Sequence, residues 1–262
     1  MFSRLAPLSV RAAMVWRMCG RYANTKVTTN LATLFDALDG TDGAWGPRYN
    51  IAPTTKAPIV RMSTSAPAGA GVTNQLGSRK LDLARWGLIP PWAKELSIGS
   101  RMFNARSETV QTSKAYRRPF TTRRALVPAD GWFEWQKLPG GGKQPYFITR
   151  PGGVVFAGLW DSWGKGEERI VSFTILTCDS FGGLEEIHDR MPLILPPDAY
   201  AAWLGLEEAD ARQLLAGPDL EDVLTLETRR VSKAVGRVTN DGPELLEALE
   251  EDDPTEPTLP GL

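Results

Sequence analysis

The sequence predicts a mixed α+β domain, dominated by antiparallel strands that curl into a barrel-like core with flanking helices. Two observations carry this. Six runs rich in β-branched, aromatic and aliphatic residues lie between positions 57 and 178, punctuated by glycine and proline. Helical spacing of apolar residues is confined to short stretches outside that region. With 262 residues, 42% of them hydrophobic, the chain is long enough to bury such a core.

The elements follow in order. Leu31, Leu34, Phe35 and Leu38 recur at helical spacing and predict a helix over 27–38, ended by Gly40 and Gly43. Residues 57–62 predict a strand. Residues 63–80, rich in Ser, Thr, Ala and Gly, predict an exposed loop. A strand from Leu81 should stop before Pro90–Pro91, because proline offers no amide to a ladder. Residues 124–136 and 144–150 predict strands around the Pro-Gly-Gly-Gly turn at 139–142. Two more strands are predicted over 154–163 and 169–178, and helices over 197–205 and 208–217. The Gly-Gly-Gly-Lys at 140–143 lacks the spacing of a phosphate loop.

Charge is unevenly spread. The formal net charge is −1, yet residues 241–262 hold eight acids without a base, and residues 1–18 hold three arginines without an acid. Residues 19–240 therefore carry +4. Residues 101–124 hold seven bases against one acid, Glu108. Such a patch suits a polyanion, although a solvated surface with scattered arginine would look the same. The organisation expected is an N-terminal extension over 1–17, one catalytic domain over 18–245 and an acidic disordered tail over 246–262. The extension reads as a mis-called start, a transit segment or a removed leader.

Two cysteines, Cys19 and Cys178, give neither a disulfide framework nor a zinc cluster, and the single histidine, His188, argues against a His-rich metal site. No metal or cofactor is expected. No run approaches the ~18 apolar residues of a membrane helix. A cytoplasmic monomer without a membrane partner is expected.

Cys19 sits in Met18-Cys19-Gly20-Arg21-Tyr22. A lone cysteine is usually a small buried hydrophobe. If translation starts at Met18 and that methionine is removed, Cys19 becomes the first residue. Its thiol and α-amine then sit on adjacent carbons. The amine titrates near about 7.7–8.0, so a useful fraction is neutral at physiological pH. An amine condenses with an aldehyde to an imine, and the neighbouring thiol can close a five-membered thiazolidine. An internal cysteine cannot do this.

Further strings follow: Arg48-Tyr49-Asn50-Ile51-Ala52-Pro53, Trp86-Gly87-Leu88-Ile89-Pro90-Pro91-Trp92, Asn104-Ala105-Arg106-Ser107-Glu108-Thr109, Gly131-Trp132-Phe133-Glu134-Trp135, His188-Asp189-Arg190-Met191-Pro192, and Val231-Ser232 through Asn240-Asp241-Gly242-Pro243. In this order, after Met-Cys-Gly-Arg-Tyr, they resemble the SRAP family, the SOS-response-associated peptidases. The match covers most of residues 18–245.

The resemblance implies a barrel-like SRAP fold and a role in the DNA damage response. It implies that Cys19 captures the ring-opened aldehyde of an abasic site in single-stranded DNA as a thiazolidine. It implies that Asn104 positions the cysteine backbone and the adduct, that Glu134 is the catalytic carboxylate, and that His188 protonates the sugar oxygen to promote ring opening. Arg21, Arg106 and Arg190 match positions that hold phosphates, a contact to which guanidinium is suited. Trp92 matches a stacking platform or wedge, though some relatives have two tryptophans here and this chain has Ala93 second. Pro53 and Thr177 are expected to line the DNA channel.

Read alone, the same residues have plainer roles. Asn104 is a turn former, Glu134 the outward polar residue of an alternating strand, and His188 half of a surface ion pair with Asp189. Trp86, Trp132 and Trp160 read as core, and Cys178 as a strand-end cysteine without a role. Two further functions share the residues: a cysteine peptidase or N-terminal-nucleophile amidohydrolase that could remove its own leader, and a passive single-strand binder using Trp92 and the arginines.

Overall fold

A computed structural model describes residues 19–63, 78–205 and 207–250. The elements are β1 (Arg21–Asn24), α1 (Thr28–Leu34), β2 (Ala37–Asp39), β3 (Arg48–Ile51), β4 (Lys56–Met62), β5 (Arg79–Trp86), β6 (Asn104–Arg106), α2 (Arg117–Thr122), β7 (Arg124–Lys137), β8 (Lys143–Trp163), β9 (Ile170–Asp179), β10 (Arg190–Pro192), α3 (Tyr200–Leu204), α4 (Glu208–Gln213), α5 (Leu220–Leu224) and β11 (Glu227–Arg230).

Five strands close a ring. β8 pairs with β9, β9 runs parallel to β5, β5 pairs with β4, β4 meets β7 through Val60–Leu126 and Arg61–Ala125, and β7 returns to β8. Closure leaves these strands no free edge over the ring. The interior is aromatic. Trp86 lies nearly parallel to Phe173, centroids 6.4 Å apart, and Tyr22 meets Trp86 edge-on at 5.1 Å. Burying each of Phe156 and Phe173 contributes roughly 1.5–3 kcal/mol. Trp86, Trp132 and Trp160 are all core, as the sequence predicts.

A bulge between Ala129 and Gly131 turns the β7–β8 hairpin out of the ring. Its outer half carries β1 and then β3 on one side and β11 on the other. A second small core forms there from Ala23, Phe133, Phe147, Val231, Val235 and Leu245. Alternation along β7 puts Phe133 into this second core and Trp132 into the main one. Glu134, two residues after Trp132, therefore shares the face of Trp132 and is buried.

The predicted strands over 57–62, 124–136 and 169–178 match β4, β7 and β9 closely. Others need correction. The helix expected over 27–38 ends at Leu34, because Asp36 takes a left-handed φ of +46°, and Leu38 lies in β2, parallel to β5. The strand expected from Leu81 starts at Arg79 and ends at Trp86. Of the loop expected over 63–80, residues 64–77 lie outside the described residues, and Arg79–Lys80 are strand. The strands expected over 144–150 and 154–163 are one 21-residue strand, β8, bent where Gly152 and Gly153 take φ of +85° and +88°. Three pairings are parallel, β2–β5, β5–β9 and β6–β9, so the sheet is mixed though mainly antiparallel.

The expected extension over 1–17 and most of the expected tail lie outside the described residues. Within 246–250, Leu249 N–H donates to the Arg230 carbonyl at 2.9 Å. Among the described residues no helix is long and apolar enough to cross a membrane.

Candidate active site

The pairing of β1 on β7, with Arg21 opposite Phe133, brings the residues before β1 alongside Glu134. Cys19 is buried there, and its backbone N–H donates to Glu134 Oε1 at 3.0 Å. On its other side, the Cys19 carbonyl accepts from Asn104 Nδ2 at 3.0 Å. Asn104 opens β6, which runs parallel to β9 opposite Ile175, and the Tyr116 hydroxyl donates to the Asn104 carbonyl at 3.3 Å. Asn104 is thus a strand residue that clamps Cys19, and the sequence offers no signal for Tyr116 as its support.

Burial dominates the electrostatics. It pushes the Cys19 thiol well above the usual range, and the charge and hydrogen bonding of Glu134 push it further. Burial likewise raises the Glu134 carboxyl well above the usual carboxylate range, against the hydrogen bonds from Cys19. Nearby Asp189 adds to the rise, and Lys143 opposes it. The pair therefore favours neutral forms, with protons available for transfer.

His188 follows a short turn over Leu184–Glu186, and its N–H donates to the Leu184 carbonyl at 3.0 Å. Its Nδ1 lies 3.1 Å from Arg190 N and 2.9 Å from Asp189 Oδ1. These two contacts exclude each other as hydrogen bonds, since an Nδ1 that accepts from Arg190 N–H carries no proton for Asp189. Burial lowers the His188 pKa despite Asp189. The neutral ring accepting from Arg190 is therefore the form we assign, with the exposed Asp189 carboxylate free to turn into water and the proton on Nε2. Glu134 and His188 line one cleft of about 420 Å³, with Lys137, Lys143 and Glu186 on its walls. Gln136 Nε2 ties the hairpin to the turn by donating to the Glu186 carbonyl at 3.0 Å.

The other predicted residues are placed as follows. Arg106 is exposed at the end of β6, opposite Thr177 on β9. Thr177 is buried, and its carbonyl accepts from Ser107 N–H and from Arg190 Nη2. Arg190 is held by Asp179 and, through two nitrogens, by Glu108 at 2.6 and 3.0 Å. Arg21 turns its guanidinium to Asn50 Oδ1 at 3.0 Å and to the Val235 carbonyl at 2.8 Å. Pro53 is half-buried in the β3–β4 turn, which clips to Trp86 through Thr54 N–H and the Thr55 carbonyl. Trp92 is 52% exposed, with Lys114 Nζ 5.3 Å from its ring centre. Cys178 is buried at the end of β9, opposite Met191 on β10. Among the described residues no three His, Cys, Asp or Glu side chains are grouped to hold a metal ion.

Fold and site together define a barrel protein that clamps the backbone of a buried cysteine between an asparagine and a buried carboxylic acid. Residues 18–238 match the model of the SOS response associated peptidase (SRAP) family, and the chain belongs to that family. It is 34% identical over 239 residues to the abasic site processing protein YoaM of Bacillus subtilis, covering 88% of this chain and 98% of that one. It is 31% identical over 246 residues to the abasic site processing protein YedK of Escherichia coli, covering 88% and 100%. The fold is similar to a crystal structure of a protein from Bacteroides thetaiotaomicron, with a TM-score of 0.73 at 20% identity over 88% of this chain and all of that one.

Proposed function

We propose that this chain captures abasic sites in single-stranded DNA by forming a thiazolidine at Cys19. The observation that carries the reading is the placement of the Cys19 backbone nitrogen, 3.0 Å from the buried Glu134 carboxyl. Relatives named as abasic site processing proteins support the substrate class.

The ring-opened abasic sugar presents an aldehyde. The free α-amine of Cys19 adds to its carbon, and loss of one water gives an imine. The Cys19 thiol then adds to the imine carbon while the nitrogen regains a proton, closing the five-membered ring. Glu134 moves protons between nitrogen and leaving hydroxyl. His188, once it takes up a proton and turns Nδ1–H to Asp189, protonates the ring oxygen of the sugar from Nε2, and the C1′ hydroxyl gives up its own proton as it becomes the aldehyde, so the imidazole returns to the neutral form. Asn104 fixes the Cys19 carbonyl, which sets the direction of the nitrogen. Arg106, Arg190 and Arg21 hold phosphates, Trp92 stacks on a base, and Pro53 and Thr177 line the channel. The test is an SDS-stable band with abasic, but not intact, single-stranded DNA.

A second reading is hydrolysis of the peptide bond ahead of Cys19. One observation favours it: the nitrogen of that bond donates to Glu134, which could protonate the departing amine. Release of a leader peptide by the full chain, lost in Glu134→Gln, is its test.

A further inference from the structure

At the middle of β7, beside Pro128 and Ala129, lies a larger cleft of about 570 Å³, well within the range of small-ligand sites. Ala129 in this cleft and Glu134 at Cys19 are separated along β7 by about 16 Å of strand. Its walls combine two kinds of surface. The half-buried Tyr200 supplies a ring, packed with its centroid 5.7 Å from that of the buried Phe35 behind it. Lys26, Arg79 and Arg150 supply positive charge.

The existing partners of these cations leave the cleft positive. Lys26 Nζ is paired with Asp130 at 2.6 Å. Arg79 donates Nη1 to the Phe35 carbonyl at 3.0 Å, a neutral partner. Arg150 donates Nε to the Gly153 carbonyl at 3.2 Å, and its nearest carboxylate oxygen, on Asp222, is 3.7 Å away, beyond a good hydrogen bond. Burial pushes the Tyr200 phenol up to about 12, and the fields of Arg150 and Arg79 both oppose that rise. The rim is formed by the bend in β8. A Cβ on Gly153 would stand 2.5 Å from the Ala129 carbonyl and 3.3 Å from Lys26 Nζ, so only glycine closes the strand against Lys26 in this way.

We propose that this cleft is a second binding site, distinct from the Cys19 site, for a phosphate carried on a flat ring, of mononucleotide size. The ring of Tyr200, backed by the buried Phe35, receives the planar body, and Arg79, Arg150 and Lys26 receive the phosphate. The same chemistry comes from a free nucleotide or from the 5′-phosphorylated end of a DNA strand. The proposal stands apart from the thiazolidine reading and survives its failure.

The experiment is calorimetric titration of the full chain with thymidine 5′-monophosphate, thymidine and inorganic phosphate. The monophosphate should bind at least about tenfold more tightly than thymidine, and Arg79→Met and Arg150→Met should each weaken it about tenfold, since each removes a charge-assisted contact. Displacement of the bound nucleotide by an intact 5′-phosphorylated oligonucleotide would assign the site to a DNA end, and failure to displace it would assign a free nucleotide. Should a variant melt early, protection of Lys26 from acylation by the nucleotide reads the site in the unaltered protein. No binding of the nucleotide up to roughly 10 mM overturns the proposal. Unchanged affinity in both folded arginine variants, or no protection of Lys26, does so too.

Discussion

Cys19 and Glu134, 115 residues apart in sequence, are joined by a hydrogen bond of 3.0 Å from the backbone nitrogen of one to the carboxyl of the other. The sheet makes this contact, since Arg21, two residues after Cys19, pairs with Phe133, the residue before Glu134. A bond to the nitrogen, rather than to the thiol alone, is what amine chemistry requires.

Glu134→Gln keeps the shape of the carboxyl and removes the transferable proton. It should slow crosslink formation and its reversal together, by roughly 10²-fold, because one proton shuttle serves both directions. Rates of adduct formation, and of release onto a competing abasic strand, measure this. Unchanged rates in both directions would leave Glu134 a structural residue.

The same carboxyl makes a stability prediction. Its folded pKa is raised by burial, so its contribution is fully present below the unfolded value and is lost as pH rises through the folded one. Between about pH 5 and about pH 9, the melting temperature of the wild type should fall more than that of Glu134→Gln. Parallel melting curves across that range would contradict the burial argument.

Arg106 and Arg190 should separate binding from stability. Arg106 is exposed, so Arg106→Ala should weaken binding to single-stranded DNA and flatten its salt slope by about 0.7, leaving melting unchanged. Arg190 is tied to Glu108, Asp179 and Thr177, so Arg190→Ala should also lose about 1–3 kcal/mol of stability. Salt-dependent binding and denaturant unfolding of both variants are the measurements. Identical behaviour of the two would undo the distinction.

Asn104→Ala removes the clamp on the Cys19 carbonyl. The loss of one hydrogen bond costs about 1 kcal/mol, and the adduct should form about fivefold more slowly while binding of intact DNA is unchanged. A competition assay with intact strand separates the two effects. Equal loss of binding and rate would make Asn104 a DNA contact.

Much of the barrel was legible because its long strands advertise themselves. β7 and β9 are long and buried over most of their length, with apolar and β-branched residues at consecutive as well as alternate positions. The short strands were not legible. β6 and β10 have three residues each, too few for any period, and exist because β9 offers an edge to both. Asp36 ended a helix whose spacing promised one more turn, a backbone choice no periodicity encodes. At the site, Cys19, Asn104, Glu134 and His188 came from motif order. The contacts between them came from register, and register is invisible in a single sequence. Tyr116, which supports Asn104, sits in a basic stretch that signals only charge.

Capture as a thiazolidine needs a free amine on Cys19. A peptide nitrogen is planar, resonance-stabilised and not nucleophilic, so the reacting form must begin at Cys19. The direct measurement is intact mass spectrometry of an abasic single strand incubated with protein beginning at Cys19, beside protein that keeps residues 1–18. The first should gain the mass of the strand less one water, in a band stable to SDS and heat. Cys19→Ala should give none, and Cys19→Ser at most an imine trapped by borohydride. A stable adduct of wild-type yield with Cys19→Ala, or equal rates from a protein that still carries residues 1–18 by mass, would rule out capture by the Cys19 amine.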